Sequence, residues 1–265
     1  MFKRVKFKKS PLREVVYQIN FPPILAIEAN VPSDFQDAVR DKFIDYNEQI
    51  EQENQILINP SIPQNNPVFS SKPIRKIHIF TSDDGFWKLS LAKNMLSLST
   101  LRYDVWEDMV ECFKRPLEAL IKVYKPSFCN RVALRYIDVI DREIIGLSGV
   151  AWNELLNPHI CGCLGYQSND NFEVQASKVE ALLQFEEGTL KLTAGIGNKR
   201  FRDGKAKGCV FILDCDYSRV GKFSIDAIND VSENIHEKAT VFFQNAITKK
   251  LYTAMEPQEL VKENE

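Results

Sequence analysis

The sequence predicts an α+β protein, built either as one large domain or as two closely packed halves. The chain has 265 residues, which is at the upper end of what one hydrophobic core usually holds. Hydrophobic residues make up 44% of it and charged residues 26%, which are ordinary fractions for a globular protein. Apolar positions recur every second residue in some segments and every third or fourth residue in others. These periods predict β-strands that alternate with amphipathic helices.

The predicted first half, residues 1-145, opens with a strand and a helix. Apolar and polar positions alternate over residues 14–21, which predicts a half-buried strand. A capping box then begins at Ser33, and apolar residues follow it at helical spacing, so we predict a helix over Ser33–Glu51. Residues 54–73 are rich in asparagine, proline and serine, and this composition predicts a long loop.

Two strands, a helix and a further strand complete this half. The strands are predicted over residues 74–81 and 86–101. Asp104 is the predicted cap of the helix, and Pro116 predicts a kink or a division into two short helices because proline removes one backbone donor. A strand over residues 130–140 follows. The resulting order, β-α-β-β-α-β, predicts a ferredoxin-like N-terminal half.

The predicted second half, residues 146-256, packs against the first. It contains an antiparallel β-hairpin over residues 174–196, a strand over 209–217 and a long C-terminal helix over 224–255. Both halves place strands before a long amphipathic helix, which suggests a divergent duplication. Residues 257-265 are predicted to form a disordered acidic tail.

Charge and cysteine content exclude several classes of protein. The net charge of -2 and the pI of about 6.0 do not indicate nucleic-acid or membrane binding through bulk charge. Six cysteines in a chain of this length do not form a disulfide framework, so we expect reduced thiols and a cytoplasmic location. No apolar run approaches the roughly 18 residues that span a bilayer. No nucleotide-binding, nucleophile-elbow or zinc-protease motif occurs, so no cofactor and no catalytic residue is predicted.

A basic segment near the hairpin is the strongest local charge feature. It holds five cations and one aromatic residue, namely Lys199, Arg200, Phe201, Arg202, Lys205 and Lys207. An exposed segment of this kind can contact phosphates, and Phe201 can stack on a base. A solvated hairpin tip, whose cations serve only solubility, explains the same pattern. Both interpretations stay open from the sequence.

Two pairs of charged residues lie on predicted strands. Arg131 and Arg135 share the face of their strand that also carries Ala133, and they need partners there. They either bind an anionic ligand or pair with acidic residues of a neighbouring strand. Asp214 and Asp216 end another strand, and together with Asp138 they would form a magnesium site if the three carboxylates converged. Aspartate is also common at strand ends for its role in turns.

Several motifs resemble those of a known protein family. They are SPLREVVYQINFPPI at residues 10–24, followed by PSDFQ at 32–36, then RVALRYID at 131–138, LDCDY at 213–217 and the spaced residues His236, Phe243 and Leu251. This pattern is similar to that of a sporadically distributed prokaryotic family whose members have about this length. The resemblance implies no activity and no site residues. The patchy distribution resembles that of genes in defence or mobile-element clusters.

We therefore predict a non-catalytic interaction protein that binds a partner protein, as an adaptor, specificity or antitoxin-like subunit in a prokaryotic defence or mobile-element context. The first alternative is a nucleic-acid-binding module that uses the segment 199–207 with Arg131 and Arg135. The second is a magnesium-dependent enzyme that uses the strand-end aspartates. The long C-terminal helix also offers a face for homo-oligomer formation.

Overall fold

The computed structural model describes residues 4–51, 54–57, 68–71, 75–166, 174–200 and 206–260. Its strands are β1 Val5–Phe7, β2 Leu12–Asn20, β3 Asp45–Glu51, β4 Asn54–Leu57, β5 Val68–Ser71, β6 Arg75–Thr81, β7 Trp87–Ala92, β8 Met95–Thr100, β9 Cys129–Ile140, β10 Lys178–Phe185, β11 Gly188–Arg200, β12 Ala206–Phe223 and β13 Pro257–Glu259. Its α-helices are α1 Leu25–Ala29, α2 Ser33–Val39, α3 Trp106–Tyr124, α4 Arg142–Ile145, α5 Pro158–Cys161, α6 Ile228–Ala246 and α7 Lys249–Ala254. Short 3-10 helices cover Trp152–Glu154, Gly162–Gly165 and Ile225–Ala227.

One large antiparallel sheet organises the fold and confirms the predicted α+β class. Within the described residues it has nine strands in the order β10-β11-β12-β9-β2-β8-β7-β6-β3. Two small sheets accompany it, one formed by β1 with β13 and the other by β4 with β5. None of the helices in the described ranges is long and apolar enough to cross a membrane.

The two faces of the large sheet differ in what covers them. We call the face that packs against α3 and α6 the inner face, and the opposite one the outer face. Tyr17 of β2 packs on Phe113 of α3, with ring centroids 4.2 Å apart, and Tyr217 of β12 packs on Phe242 of α6, with centroids 6.3 Å apart. Because side chains alternate along a strand, alternate residues in the middle of β9 and β12 enter this inner core, namely Val132, Leu134, Ile140, Phe211, Leu213, Cys215 and Tyr217.

The predicted helix over Ser33–Glu51 is wrong in its second part. The helix α2 ends at Val39, and Asp45–Glu51 is instead the edge strand β3, paired with β6. The Tyr46 hydroxyl lies 2.9 Å from Nδ1 of the buried His78, whose Nε2–H donates to the carbonyl of Ile27 at 2.8 Å. This cross-strand pairing and burial outweigh the helical spacing of the apolar residues, as tertiary context commonly does for short segments.

The C-terminal helix predicted over 224–255 is also divided. The helix α6 ends at Ala246, and Ile247 is extended and forms a bridge with Leu156. Thr248 then caps α7 by accepting a hydrogen bond from the backbone of Leu251. The apolar stripe of α6 is buried against the sheet. Homo-oligomer formation through this helix stays a prediction.

Three further sequence predictions need correction. The helix α3 runs without interruption through Pro116, so it is not two short helices. The segment predicted as a long loop over 54–73 contains β4 and β5, and its remaining residues lie outside the described ranges. The tail predicted to be disordered begins with β13, which pairs with β1, and residues 261–265 lie outside the described ranges. The backbone amides of Lys8 and Lys9 extend this pairing by donating to the carbonyls of Glu256 and Met255.

Candidate functional site

A pocket of about 160 Å³ lies on the inner face, where β9 and β12 meet α6. The loop before α3 and the strand β1 line its other sides. The sheet supplies Tyr136, Asp138, Cys215 and Tyr217, which all project to the same face because they occupy alternate positions on neighbouring strands. An apolar pocket that holds a few convergent polar groups is the usual form of a ligand site.

Asp138 is the most unusual residue of this pocket. Its side chain is only 5% exposed, and no hydrogen bond or ion pair to its carboxyl group occurs among the described residues. Burial raises the pKa of this carboxyl group to about 7, because the charged form loses its hydration. A carboxyl group that is buried, lines a pocket and has no partner in the described part of the chain is available to a ligand.

A hydrogen-bonded aromatic array forms the helix side of the pocket. The hydroxyl of Tyr136 lies 2.8 Å from Nδ1 of His236, and the imidazole stacks on the indole of Trp106 with centroids 4.7 Å apart. The indole N–H of Trp106 donates to the Glu233 carboxylate. Burial lowers the pKa of His236 to about 4, so its imidazole is neutral at pH 7.

The strand side of the pocket carries a thiol and a phenol. Burial, reinforced by the nearby Asp138, raises the pKa of the Cys215 thiol well above its usual range. Burial likewise raises the pKa of the Tyr217 hydroxyl. Cys215 therefore stays in its neutral form at physiological pH, where a thiol is a poor nucleophile.

The strand β1 and the residue before it, Arg4, form one wall of the pocket. Arg4 forms an ion pair with Glu107 at 2.7 Å, and Lys6 forms one with Asp104. Phe7 makes an edge-to-face contact with Phe243 of α6, with ring centroids 6.0 Å apart. These contacts hold β1 over the side chains of the sheet.

The arginines predicted to bind an anion lie on the outer face and are paired. Arg135 donates two hydrogen bonds to the carboxylate of Asp214, one from Nε at 2.7 Å and one from Nη2 at 2.6 Å. Arg131 lies 3.3 Å from the carboxylate of Asp216. The structure thus shows pairing with acidic residues of the neighbouring strand, which was one of the two interpretations of the sequence.

The three aspartates predicted at strand ends do not converge, and Asp214 and Asp216 lie within β12 rather than at its end. Asp138 lies directly opposite Leu213 on the inner face, whereas Asp214 and Asp216 point to the outer face and bind the two arginines. In the part of the chain that the structure describes, no group of three or more metal-binding side chains occurs. The magnesium site predicted from these residues therefore has no geometric support.

The basic segment falls largely outside the described residues. Lys199 and Arg200 end β11, and Lys207 lies near the start of β12, but their side chains are not described. Phe201, Arg202 and Lys205 lie outside the described ranges. Binding of nucleic acid by this segment stays a prediction.

The sequence contains one signal for the pocket, which is the position of Asp138 in β9. Because side chains alternate along a strand, the register that puts Arg131 and Arg135 on one face puts Asp138 on the opposite, apolar face. An acidic residue at an apolar position indicates either a buried partner or a ligand site. Trp106 and His236 line the pocket only because α3 and α6 pack together, and no local sequence pattern predicts that packing.

Comparison with known proteins gives no family for this chain. No protein-family model matches it, and no curated protein is significantly similar to it.

Proposed function

We propose that this chain is a binding protein that holds a small organic ligand in the pocket between β9, β12 and α6. The observation that carries the proposal is the buried carboxyl group of Asp138, which has no partner among the described residues and lines an aromatic pocket. A buried polar group without a partner costs about 1–3 kcal/mol of stability. A ligand that donates a hydrogen bond to it would offset this cost.

The titratable groups around the pocket favour binding over nucleophilic catalysis. A thiol whose pKa is raised, as in Cys215, forms little thiolate at neutral pH. An imidazole whose pKa is lowered to about 4, as in His236, is a weak general base. His236 is also engaged by Tyr136 and stacked on Trp106.

A fragment screen by NMR tests this proposal. Ala239 of α6 lines the pocket, so the substitution Ala239→Phe should fill it and abolish the binding of fragments that the wild type takes up. The matched control, Val220→Phe, adds the same ring on the outer face, where Val220 is 76% exposed, and should leave binding unchanged. Hits that survive in Ala239→Phe, or a screen without any hit, would contradict the proposal.

A partner-protein interaction is the second candidate function, and the edge strand β3 supports it. Large apolar side chains are exposed around this edge, namely Leu25, Val31, Ile44, Tyr46 and Ile50. His78 contacts the Tyr46 hydroxyl of β3 and the Ile27 carbonyl of α1. These two contacts join α1 to β3, so the exposed apolar residues belong to one region of the surface. An exposed sheet edge with flanking apolar side chains is suited to the addition of a strand from another protein.

Affinity purification compares the two edges of the sheet. The variant Ile44→Lys/Ile50→Lys should lose a partner that copurifies with the wild type, because a buried lysine opposes association. Leu182→Lys, which changes an exposed apolar residue on the opposite edge strand β10, is the control. Equal recovery of the partner with both variants would exclude the β3 edge.

We also propose that β2, β7, β8 and β9 form a ferredoxin-like unit. Their order in the sheet, β9-β2-β8-β7, and the helices that connect β2 to β7 and β8 to β9 support this assignment. The strands β3 and β6 would then be an insertion that extends the sheet at one edge. The predicted duplication of the first half in the second stays a prediction.

A further inference from the structure

The ionic side chains of the pocket differ in whether they have a partner. Among the described lining residues, Arg4, Lys6 and Asp104 are held in ion pairs, and Asp138 is the acidic group that is left without one. The hydroxyl of Thr240 donates to the carbonyl of His236 at 3.1 Å, so it is engaged as well. Among these side chains, the pocket therefore offers an incoming ligand one hydrogen-bond acceptor that can carry a negative charge, the carboxyl group of Asp138.

Aromatic rings surround this acceptor. In the described part of the chain six of them line the pocket, namely Phe7, Tyr103, Trp106, Tyr136, Tyr217 and Phe243. Neighbouring rings lie close, with centroids of Tyr136 6.4 Å from Tyr103 and 6.3 Å from Tyr217. Aromatic faces attract cations, and the attraction is stronger where water is excluded.

We propose that the pocket binds a protonated amine on a small apolar group, with the ammonium at Asp138 and the apolar part between the aromatic rings. This inference rests on the proposed ligand-binding function and names the class of ligand. A neutral ligand would leave the carboxyl group without a charged partner, and an anion would meet it as a like charge.

The size of the pocket limits the ligand. Its volume of about 160 Å³ is close to that of an engineered apolar cavity of about 150 Å³ that binds benzene. A single ring or a short branched chain therefore fits within it. Benzylamine combines such a ring with a primary amine, and benzyl alcohol and benzoate are its neutral and anionic counterparts.

The groups that surround Asp138 determine the pH dependence of binding. Burial raises the pKa of the neighbouring thiol and phenols, which are those of Cys215, Tyr103, Tyr136 and Tyr217. From α6, His236 has a pKa lowered to about 4. At the β1 side of the pocket, Arg4 and Lys6 are held in ion pairs with Glu107 and Asp104. Asp138 is thus the group whose charge we expect to change near neutral pH.

Titration with the three compounds, followed by NMR on the full chain, tests the inference. We expect benzylamine to bind more tightly than the other two, and to gain about tenfold in affinity between about pH 6 and pH 8 as Asp138 ionises. Benzyl alcohol should bind weakly and without this pH dependence. In Asp138→Asn, benzylamine should lose about tenfold in affinity at pH 8, while benzyl alcohol binding persists.

The control is Asp214→Asn, which removes an acidic group on the neighbouring strand but on the outer face of the sheet. It should leave benzylamine binding unchanged. If benzyl alcohol or benzoate binds as tightly as benzylamine, or if Asp138→Asn has no effect, the amine inference is overturned while the ligand-binding function stands. If none of the three compounds shifts the resonances of the pocket, the amine inference fails, and the ligand-binding function fails with it only if the fragment screen also gives no hit.

Discussion

The hydroxyl of Tyr136 lies 2.8 Å from Nδ1 of His236 and joins the middle of the sheet to helix α6 across 100 residues of sequence. Both side chains are half-buried, and the imidazole stacks on the indole of Trp106. The contact satisfies a polar atom that would otherwise be isolated in an apolar region. It also orients two walls of the candidate site.

We expect Tyr136→Phe to destabilise the protein by about 1–3 kcal/mol, because it leaves Nδ1 of His236 buried without its partner. Urea denaturation followed by circular dichroism measures the free energy of unfolding. Tyr252→Phe is the control, since no hydrogen bond of that hydroxyl occurs among the described residues. Equal stabilities of the two variants would show that the Tyr136–His236 contact contributes nothing.

The pKa of Asp138 predicts a second effect on stability. The carboxyl group has a pKa of about 7 in the folded protein and an ordinary value of 3.8, so the folded state keeps a proton that the unfolded state loses between these values. Stability conferred by this group is therefore complete below about pH 4 and is lost as the pH rises through about 7.

The difference in free energy of unfolding between wild type and Asp138→Asn should reveal this dependence. Relative to the variant, the wild type should lose at most roughly 1.4 kcal/mol of its free energy of unfolding per pH unit between pH 4 and 7. Above about pH 8 the difference should stay constant. The opposite contribution of His236, whose pKa is lowered, is present in both proteins and cancels in the difference. A difference that does not vary with pH would mean that Asp138 is ionised in the folded state.

Local patterns were sufficient for much of the fold. The alternation in β2 and β9, the amphipathic spacing of α3 and the α+β class could be predicted because each depends on a period within one segment. The same alternation correctly placed Arg131 and Arg135 on one face, where Asp216 and Asp214 pair with them.

Features that depend on distant partners could not be predicted. The strand β3 has helical apolar spacing and becomes a strand because β6 provides hydrogen-bond partners and His78 accepts from Tyr46. The pocket requires that β1, α3 and α6 meet over the sheet, and no segment carries that information alone. Asp138 was grouped with Asp214 and Asp216 by its place near a strand end, although its position in the alternation separates it from them.

Nucleic-acid binding by the segment 199–207 makes a prediction that is independent of the pocket. The combined variant Arg200→Ala, Arg202→Ala, Lys205→Ala and Lys207→Ala should bind single-stranded nucleic acid more weakly and with a shallower salt dependence than the wild type. Arg131→Ala/Arg135→Ala should have little effect, because both arginines are already paired with aspartates. Fluorescence anisotropy at low and moderate salt measures both quantities. No binding by the wild type at low salt would exclude this alternative.

Thr248 has two roles at the break between α6 and α7, and its substitution tests why the C-terminal segment is not one helix. Its hydroxyl donates to the carbonyl of Glu154 at 2.8 Å, and the same oxygen caps the amide of Leu251. Thr248→Ala removes both contacts and should cost about 1–2 kcal/mol in the free energy of unfolding. Thr248→Ser keeps the hydroxyl and should recover most of this loss, and Thr253→Ala, at an exposed position of α7, should cost much less. If the serine variant were as unstable as the alanine variant, the methyl group rather than the hydroxyl would stabilise the break.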